Sequence, residues 1–327
     1  MIADTVFIFL ALFRMIDCPV HFAPLQGYTD APYRNFFHRF FGGVDTYYTP
    51  FIRMEKGMEF RKKELRDVEP SENSVPGLIP QAIASVPEEL RKIVQMLSDK
   101  GYNHINLNLG CPFPLLAGRH KGSGILPFPD EVRDLLETLK EFPGISYSVK
   151  MRLGWNDPDE ALRLLPLFEK FPVSRIILHP RLGVQQYKGT VDMNAFTRFY
   201  EACPIPLIYN GDLKTTAEIE TVLTGYPRLS GIMIGRGLLA DPALALACKS
   251  GKKLPDDEYR DRLLQFHNAL LQHYSSHYQG GDHQVLTKMK TLWEYLCPDA
   301  DKKLRKRILK SNKLDVYQCA VQEIFRG

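Results

Sequence analysis

Among the six cysteines of this 327-residue chain, Cys111 stands in the setting best suited to chemistry. It lies in the run N-L-N-L-G-C-P (residues 106–112), at the end of a predicted strand and directly before a proline. This pattern predicts a thiol held on an exposed turn, whereas most free cysteines are buried and inert, as expected for Cys203, Cys248 and Cys319. A thiol with an ordinary pKa of about 8.5 is mostly protonated at neutral pH, so Cys111 can serve as a general acid.

Polar or reactive side chains also follow almost every other predicted strand. The strands are predicted at residues 21–27, 44–50, 77–83, 104–110, 146–154, 175–181, 206–212 and 231–237. Their terminal residues include Gln26, Gln81, Asn108 with Cys111, Lys150 with Arg152, His179 with Arg181, Asn210 with Asp212, and Arg236. One such residue is typical of a turn, but a whole set is not. In a barrel the C-terminal strand ends converge on one rim, where active sites are built.

The elements between these strands predict the fold that positions them. Amphipathic stretches at residues 87–100, 129–142, 158–171, 214–224 and 238–249 alternate with the strands, and several begin with proline in the first turn. Eight strand–helix units predict a parallel (β/α)8 TIM barrel. A doubly wound sheet would have fewer strands and a G-x-G-x-x-G after the first one, where this chain has G-Y-T-D-A-P. Residues 256–278, 285–296 and 300–325 read as helices without intervening strands, which predicts a small all-α bundle after the barrel.

Composition sets the broad class of protein. The chain is 44% hydrophobic and 24% charged, as in an ordinary soluble globular protein, and its net charge of +4 is compatible with a nucleic-acid partner. Dispersed cysteines without a C-x-x-C pair favour a reducing, cytoplasmic location. The apolar run at residues 5–13 is too short to span a bilayer and lacks the basic flank of a signal peptide. We expect an N-terminal extension at residues 1–16 outside the fold, a barrel domain at 17–250, a helical domain at 255–327, no membrane association and a monomer.

The last predicted helix carries a run of basic residues. Residues 302–313 (KKLRKRILKSNK) include seven basic residues and no acidic one. Charge runs are most often solvated helix faces, and the alternative is a surface that contacts a phosphate backbone.

Four histidines in the tail could be considered as metal ligands. His273 and His277 are four residues apart on a predicted helix, with His267 and His283 nearby. No acidic or thiol ligand stands at a fitting spacing, so surface histidines are the better interpretation and no metal site is expected.

Taken together, the motifs resemble those of the tRNA-dihydrouridine synthase family. They are A-P-L-Q-G-Y-T-D (residues 23–30), N-L-G-C-P (108–112), K-M-R-L-G (150–154), H-P-R (179–181), Y-K-G (187–189), N-G-D (210–212) and I-G-R-G (234–237), in the family's order and spacing. The resemblance implies FMN at the barrel mouth, NADPH as reductant, and reduction of the C5=C6 bond of specific uridines in tRNA to dihydrouridine. It also implies a helical domain that grips tRNA, which makes residues 302–313 a tRNA-backbone contact.

The resemblance assigns a cofactor role to eleven positions, which are Pro24, Leu25, Gln26, Gln81, Lys150, His179, Asn210, Gly211, Asp212, Gly235 and Arg236. The first six lie around the flavin ring and the others take its phosphate end. General chemistry agrees, because a cation such as Lys150 beside flavin N1 stabilises the reduced ring. Glycine loops after the seventh and eighth barrel strands are the usual phosphate site, to which Arg236 adds charge.

The substrate side follows from the same resemblance. Hydride reaches C6 of uracil, Cys111 gives a proton to C5, and Asn108 contacts the base. A base within folded tRNA must be splayed out to reach a barrel mouth. Arg181 and Tyr187 are expected on the substrate side, with a role as loop braces left open.

Three departures from the family pattern concern the subgroup and the target uridine. Leu115 replaces the lysine of G-C-P-x-x-K, and Arg119 or Lys121 could supply that charge. The second strand ends in T-P-F-I-R-M, where an acidic residue before methionine is common, and Leu25 replaces a commoner methionine. Two alternatives stay open: an FMN barrel acting on a free pyrimidine or small enone, and a non-catalytic RNA-binding barrel, which would be colourless.

Overall fold

The computed structural model describes residues 15–55 and 57–326. Most of the expected extension, residues 1–14, lies outside this part of the chain. At its start, the backbone N–H of Ile16 donates to the carbonyl of Cys248 (3.0 Å).

The described residues form a closed parallel barrel. Its strands are β1 (Val20–Phe22), β2 (Thr46–Tyr48), β3 (Leu78–Ile79), β4 (Gln81–Ala82), β5 (His104–Leu109), β6 (Ser146–Gly154), β7 (Val173–Leu182), β8 (Leu207–Tyr209) and β9 (Gly231–Ile234), hydrogen-bonded in the order β3-β2-β1-β9-β8-β7-β6-β5-β4. β3 and β4 are one extended segment interrupted at Pro80, which has no N–H to donate to the ladder. The Pro80 carbonyl accepts from the N–H of Asn106 (2.9 Å), so this segment joins both edges of the sheet. The predicted (β/α)8 barrel is confirmed.

Helices surround the barrel and continue beyond it. They are α1 (Ala31–Phe40), α2 (Lys62–Asp67), α3 (Pro87–Asp99), α4 (Pro114–Ala117), α5 (Pro129–Leu139), α6 (Glu160–Lys170), α7 (Met193–Ala202), α8 (Thr216–Gly225), α9 (Arg236–Ala240), α10 (Leu244–Ser250), α11 (Asp256–His277), α12 (Gly281–Leu292), α13 (Lys302–Lys310) and α14 (Leu314–Arg326), with 3₁₀ turns at Pro70–Glu72 and Gly122–Ile125. Among the residues described, no helix is both long and apolar enough to cross a membrane.

Two predicted helices are each divided in the structure. The stretch at residues 238–249 is split between α9 and α10, because Asp241 precedes Pro242 and is therefore held in an extended conformation. The stretch at 300–325 is α13 and α14, separated at Ser311, whose hydroxyl donates to the carbonyl of Ile308 (2.6 Å). The basic run at 302–313 is therefore helix α13 followed by a short loop, and the prediction of one helix was wrong.

The alternation of side chains along the strands separates the barrel interior from its helix-covered outside. One buried layer inside the barrel consists of Ala23, Tyr48, Ile79, Ile177, Ile208 and Met233. Side chains two residues apart on a strand point to the same face. The next inward-facing positions on five of these strands are Leu25, Gln81, His179, Asn210 and Gly235, all of them predicted site residues. Sheet geometry alone thus places them above the packed layer, at the rim.

The C-terminal helical region, α11–α14, packs on the barrel through α1. The ring of Phe266 on α11 meets Tyr33 edge-on at 5.3 Å, and the hydroxyl of Tyr274 donates to Asp30 (2.8 Å). Within the region, Trp293 donates to the hydroxyl of Tyr317 (2.9 Å). An all-α region after the barrel, as predicted, therefore contacts the residues that follow β1.

Candidate active site

A cleft with an empty volume of about 960 Å³ opens among the C-terminal ends of the barrel strands. Thirteen of the fifteen predicted site residues line it: Pro24, Leu25, Gln26, Gln81, Asn108, Cys111, Lys150, His179, Tyr187, Asn210, Asp212, Gly235 and Arg236. The other two lie behind its wall. Arg181 is buried beneath it, and Gly211 sits where an added Cβ would come within 2.8 Å of the Tyr209 hydroxyl.

The turn that carries Cys111 is fixed from both sides. The Cys111 N–H donates to Oδ1 of Asn108 (2.8 Å), and its carbonyl accepts from the N–H and the hydroxyl of Ser123 (both 3.0 Å). At Gly122, φ is +63° and an added Cβ would come within 2.5 Å of the Cys111 carbonyl oxygen, so glycine is required there. The thiol is half-buried in the cleft wall and not fully exposed as predicted. Of the three cysteines expected to be buried, Cys203 and Cys248 are, whereas Cys319 is exposed.

Asn108 connects this turn to a row of buried polar side chains. Since its Oδ1 accepts backbone N–H groups, its Nδ2 must face Oε1 of Gln81, to which it donates (2.8 Å). Nε2 of Gln81 then donates to Oδ1 of Asn106 (2.7 Å), whose Nδ2 donates to the hydroxyl of Ser148 (2.8 Å). The backbone of Cys111 thereby determines which way the amide of Gln81 points.

Burial changes the protonation of the two reactive groups beside the cleft. Burial raises the pKa of the Cys111 thiol, an effect that the nearby cations of Arg152 and Lys150 only partly offset, so the thiol is neutral at physiological pH. Burial, with repulsion from Arg152, lowers the pKa of Lys150 to about 7. No carboxylate among the described residues forms an ion pair with Lys150. Its charge therefore responds readily to whatever occupies the cleft.

His179 lies between the cleft and a buried arginine. Burial, reinforced by the cations of Arg152 and Lys150, holds the pKa of His179 well below its ordinary value, so the ring is neutral. Arg181 donates to its Nε2 (3.2 Å), which leaves the ring proton on Nδ1. The tautomer of His179 is thus set from behind the cleft wall.

Asp212 organises the end of the cleft near β8 and β9. Its carboxylate pairs with Arg181, which also donates to the carbonyl of Gly189 (2.7 Å), and with Arg236 (2.8 Å). Although burial acts to raise the pKa of Asp212, the neighbouring Arg181 and Arg236 lower it overall, so the group is ionised. The carboxylate holds Arg236 in place, and Lys214 lines the same end. The cations of Arg236 and Lys214, together with glycine-containing turns, make this end suited to an anion.

Tyr187 is an aromatic residue in the lining of the cleft. Two guanidinium groups lie near its ring, with Arg152 at 5.4 Å and Arg236 at 5.2 Å from the ring centre. Arg152 is fixed in turn by the carbonyls of Gly110 (3.0 Å) and Leu182 (2.9 Å). Tyr187 is still 53% exposed, so it remains accessible to a ligand.

Among the cleft-lining residues that the predicted set omitted, three have an aromatic or charged side chain: Phe51, Arg152 and Lys214. Arg152 could have been found from strand periodicity, because it lies two residues beyond Lys150 and so on the same face. Phe51 and Lys214 lie in loops, where periodicity gives no signal. Of the two substitutes considered for the missing charge at Leu115, Lys121 is buried in an ion pair with Glu89 (2.7 Å), whereas Arg119 is exposed.

The interpretation of the four tail histidines as surface residues was wrong for His267, which packs inside the helical region. His267 is buried, and its Nε2 is hydrogen-bonded to the Tyr317 hydroxyl (2.7 Å). The rings of His273 and His277 stack at 4.1 Å. Within the described residues no three His, Cys, Asp or Glu side chains are grouped to hold a metal ion.

The cleft combines a neutral thiol, an end suited to an anion and hydrogen-bonding amides. Neutral Cys111 and Lys150 line the same cleft, and so do Gln81 and Asn108, whose amides are oriented. Such a cleft suits a flat polar ligand with an anionic tail, with space beside Cys111 for a second reactant.

Comparisons with known proteins identify the family of this chain. The model of the family described as Dihydrouridine synthase (Dus) matches residues 21–325. A probable tRNA-dihydrouridine synthase of Rhodobacter capsulatus is 28% identical over 270 residues, covering 79% of this chain and 82% of that protein. The tRNA-dihydrouridine synthase B of Pasteurella multocida is 26% identical over 261 residues, covering 80% and 77%.

Solved structures show the fold alone. Morphinone reductase in complex with tetrahydroNAD superposes with a TM-score of 0.52 at 11% identity, covering 76% of this chain and 94% of that one. The old yellow enzyme from Trypanosoma cruzi superposes with a TM-score of 0.51 at 10% identity, covering 79% of this chain and 97% of that one.

The match to the family model spans nearly the whole described chain, and the chain therefore belongs to the dihydrouridine synthase family of oxidoreductases.

Proposed function

We propose that this protein reduces uridine in tRNA to dihydrouridine, with FMN in the cleft, NADPH as reductant and Cys111 as the proton donor. The observation that carries the proposal is the common cleft of Cys111 and Lys150, a neutral acid and a titratable cation at the ends of the adjacent strands β5 and β6. The curated relatives, both described as tRNA-dihydrouridine synthases, support tRNA as the substrate.

The residues present fit FMN. Lys150 lacks an acidic partner among the described residues, as expected if a ligand atom takes that place. At Gly235 an added Cβ would come within 3.3 Å of Ala23 and 3.6 Å of Leu25, so the glycine keeps the floor of the cleft open for a flat ring. Lys214 and Arg236 would hold the phosphate, and the oriented amide of Gln81 would bond the polar edge of the ring.

When bound and reduced by NADPH, FMN supplies the hydride that uracil C6 requires. The chain's own groups complete the reaction. Cys111 keeps its proton because burial raises the pKa of its thiol, and that proton is available for uracil C5. Asn108 and Ser123 fix the thiol's turn, and Asn108 still has one amide hydrogen for the base. Tyr187, which is 53% exposed in the cleft lining, would contact the uridine splayed out of the RNA.

The helical region offers cations for the RNA backbone. In helix α13, Lys302, Lys303, Lys306 and Lys310 are exposed and form no ion pair within the described chain. The two arginines of this helix are engaged: Arg305 donates to the carbonyl of Cys297 (2.7 Å), and Arg307 pairs with Glu323 (2.7 Å). The lysines are therefore the part of the basic run available for phosphate contacts.

The test is the dihydrouridine content of total tRNA, measured position by position, in cells lacking the gene. Loss at one or a few uridines, restored by the wild-type gene but not by Cys111→Ala, is expected. The purified Cys111→Ala protein should still be yellow and oxidise NADPH.

Each part of the proposal has its own contrary result. Unchanged tRNA from the deletion strain, with a yellow purified protein that reduces small enones, would reassign the substrate. A colourless protein that binds RNA would remove the cofactor. Full uridine reduction by Cys111→Ala would remove that residue from the mechanism.

A further inference from the structure

The cleft wall formed by Pro24, Leu25 and Gln26 belongs to a tight turn that is held at its far end by the helical region. Inside the turn, the Leu25 carbonyl accepts from the N–H groups of Tyr28 (3.0 Å) and Thr29 (3.1 Å). The N–H of Leu25 donates to the Thr29 hydroxyl (2.9 Å). These bonds make residues 24–30 a single unit, so a displacement at one end is transmitted to the other.

Lys288, on helix α12, reaches into the far end of this turn. Its ammonium donates to the carbonyl of Gly27 (2.8 Å) and pairs with Asp30 (2.8 Å). It is 7% exposed, and Tyr274 donates a second hydrogen bond to the Asp30 carboxylate (2.8 Å). Gly27 has φ of +89°, a conformation that few other residues adopt, so the carbonyl is presented to Lys288 by a specific backbone bend.

We propose that Lys288 is a positioning residue for the flavin-facing turn, so that the helical region completes the cofactor cleft as well as offering a surface to RNA. This inference rests on the proposed function, since it takes the cleft to hold FMN. The physical reason is that a buried ammonium group forms strong, directional hydrogen bonds with a carboxylate and a carbonyl oxygen. It fixes residues 24–30 against the strand ends that provide the rest of the cleft.

A second contact works in the same direction. The hydroxyl of Tyr28, in the same turn, donates to the carboxylate of Glu294, and its ring meets Tyr295 edge-on at 5.4 Å. Both partners follow α12 directly in the chain. Residues 288–295 thus contact the turn at Gly27, Tyr28 and Asp30, and Lys288 is the most buried of the residues in this segment that make these contacts.

The test uses the full-length protein freed of cofactor and titrated with FMN, following the quenching of flavin fluorescence and the visible absorption band. Lys288→Met should bind FMN about tenfold more weakly, given the strength of hydrogen bonds to charged groups. The absorption band of FMN bound to this variant should also change shape, because the turn would no longer be held in place beside the flavin ring. Lys288→Arg should recover most of the affinity.

Lys290→Met is the matched control, because this lysine is on the same helix but donates to the carbonyl of Ser311 inside the helical region. It should alter thermal stability without altering FMN affinity. Tyr274→Phe provides a milder variant that leaves the Asp30–Lys288 pair in place, and a two- to threefold loss of affinity is expected, roughly the effect of one neutral hydrogen bond.

The outcomes separate this inference from the proposed function. A wild-type protein that does not bind FMN would overturn both. A wild-type protein that binds FMN, with Lys288→Met binding equally well despite a lower unfolding temperature, would overturn the positioning role alone. If Lys288→Met does not fold, Tyr274→Phe decides: weaker binding supports the role, and unchanged affinity overturns it.

Discussion

The amide of Asn108 joins the backbone of Cys111 to the side chain of Gln81, accepting from the first at 2.8 Å and donating to the second at 2.8 Å. The proposed proton donor and an amide of the proposed flavin site are therefore oriented by one side chain. Because the N–H of Cys111 can only donate, the direction of every amide in the row is fixed, as far as Ser148.

Asn108→Ala should destabilise the protein and impair the Cys111 turn. The N–H groups of Gly110 and Cys111 would lose their acceptor, at a cost of about 1–3 kcal/mol in the free energy of unfolding. Urea denaturation measures that cost. Uridine reduction should fall further than flavin loading does. The exposed Asn194→Ala is the control and should change neither quantity; an equally stable Asn108→Ala would show that water replaces the amide.

Lys150 should make FMN affinity depend on pH near neutrality. Burial and Arg152 lower its pKa to about 7 in the ligand-free protein, so the ammonium loses its proton as the pH rises through that value. A ligand that accepts a hydrogen bond from the ammonium binds the protonated form better. Affinity should therefore fall between about pH 7 and 9, by at most about tenfold per pH unit.

Fluorescence titration at several pH values provides the measurement for Lys150. The phosphate of FMN is already ionised over most of this range, so it adds little slope. Lys150→Met should bind more weakly at pH 7 and show a flatter profile. Identical profiles for the two proteins would mean that Lys150 does not contact the ligand.

Cys111 should react slowly with alkylating reagents at neutral pH. The thiolate is the nucleophile, and burial raises the pKa of this thiol above its ordinary value. Peptide-level mass spectrometry of iodoacetamide labelling should give a rate for Cys111 that rises at higher pH than that of free N-acetylcysteine. A midpoint at lower pH than the reference would indicate a thiolate, which is unsuited to donating a proton.

The anion-binding end can be tested with two ligands that differ by one phosphate. Lys214→Gln should weaken binding of FMN by about tenfold, the order expected for a charge-assisted hydrogen bond, and leave binding of riboflavin unchanged. Both affinities can be measured by fluorescence quenching. Equal losses for the two ligands would place Lys214 elsewhere than at the phosphate.

The lysines of α13 should set the salt dependence of tRNA binding. Replacing Lys302, Lys303, Lys306 and Lys310 by glutamine should weaken binding and reduce the slope of log affinity against log salt by about 3. Filter binding at several salt concentrations measures the slope. Arg307→Gln is the matched control, because Arg307 is already paired with Glu323 and should not contribute. An unchanged slope in the fourfold variant would show that the lysines of α13 form a solvated helix face that does not contact tRNA.

Much of the architecture could be predicted from local pattern. The alternation of strands and amphipathic stretches predicted the barrel. The strand period of 2 residues and the helix period of 3.6 residues can each be recognised from residues close together in the sequence. Strand ends in a parallel barrel share one rim, so thirteen of the predicted residues could be expected to meet in one cleft. Motif order and spacing were sufficient for the family.

Contacts between distant segments were decided only by the tertiary structure. Arg181 was expected at the substrate, yet it lies behind His179 and pairs with Asp212, because its neighbours in space come from other strands. The hydrogen bond between Lys288 and Gly27 joins residues 261 positions apart, and no local sequence pattern in either segment predicts it. Local propensity and periodicity depend on residues a few positions apart. The protonation of Lys150 and the tautomer of His179 depend instead on burial and on neighbours that are distant in sequence. The same is true of the contacts that fix the turn after β1.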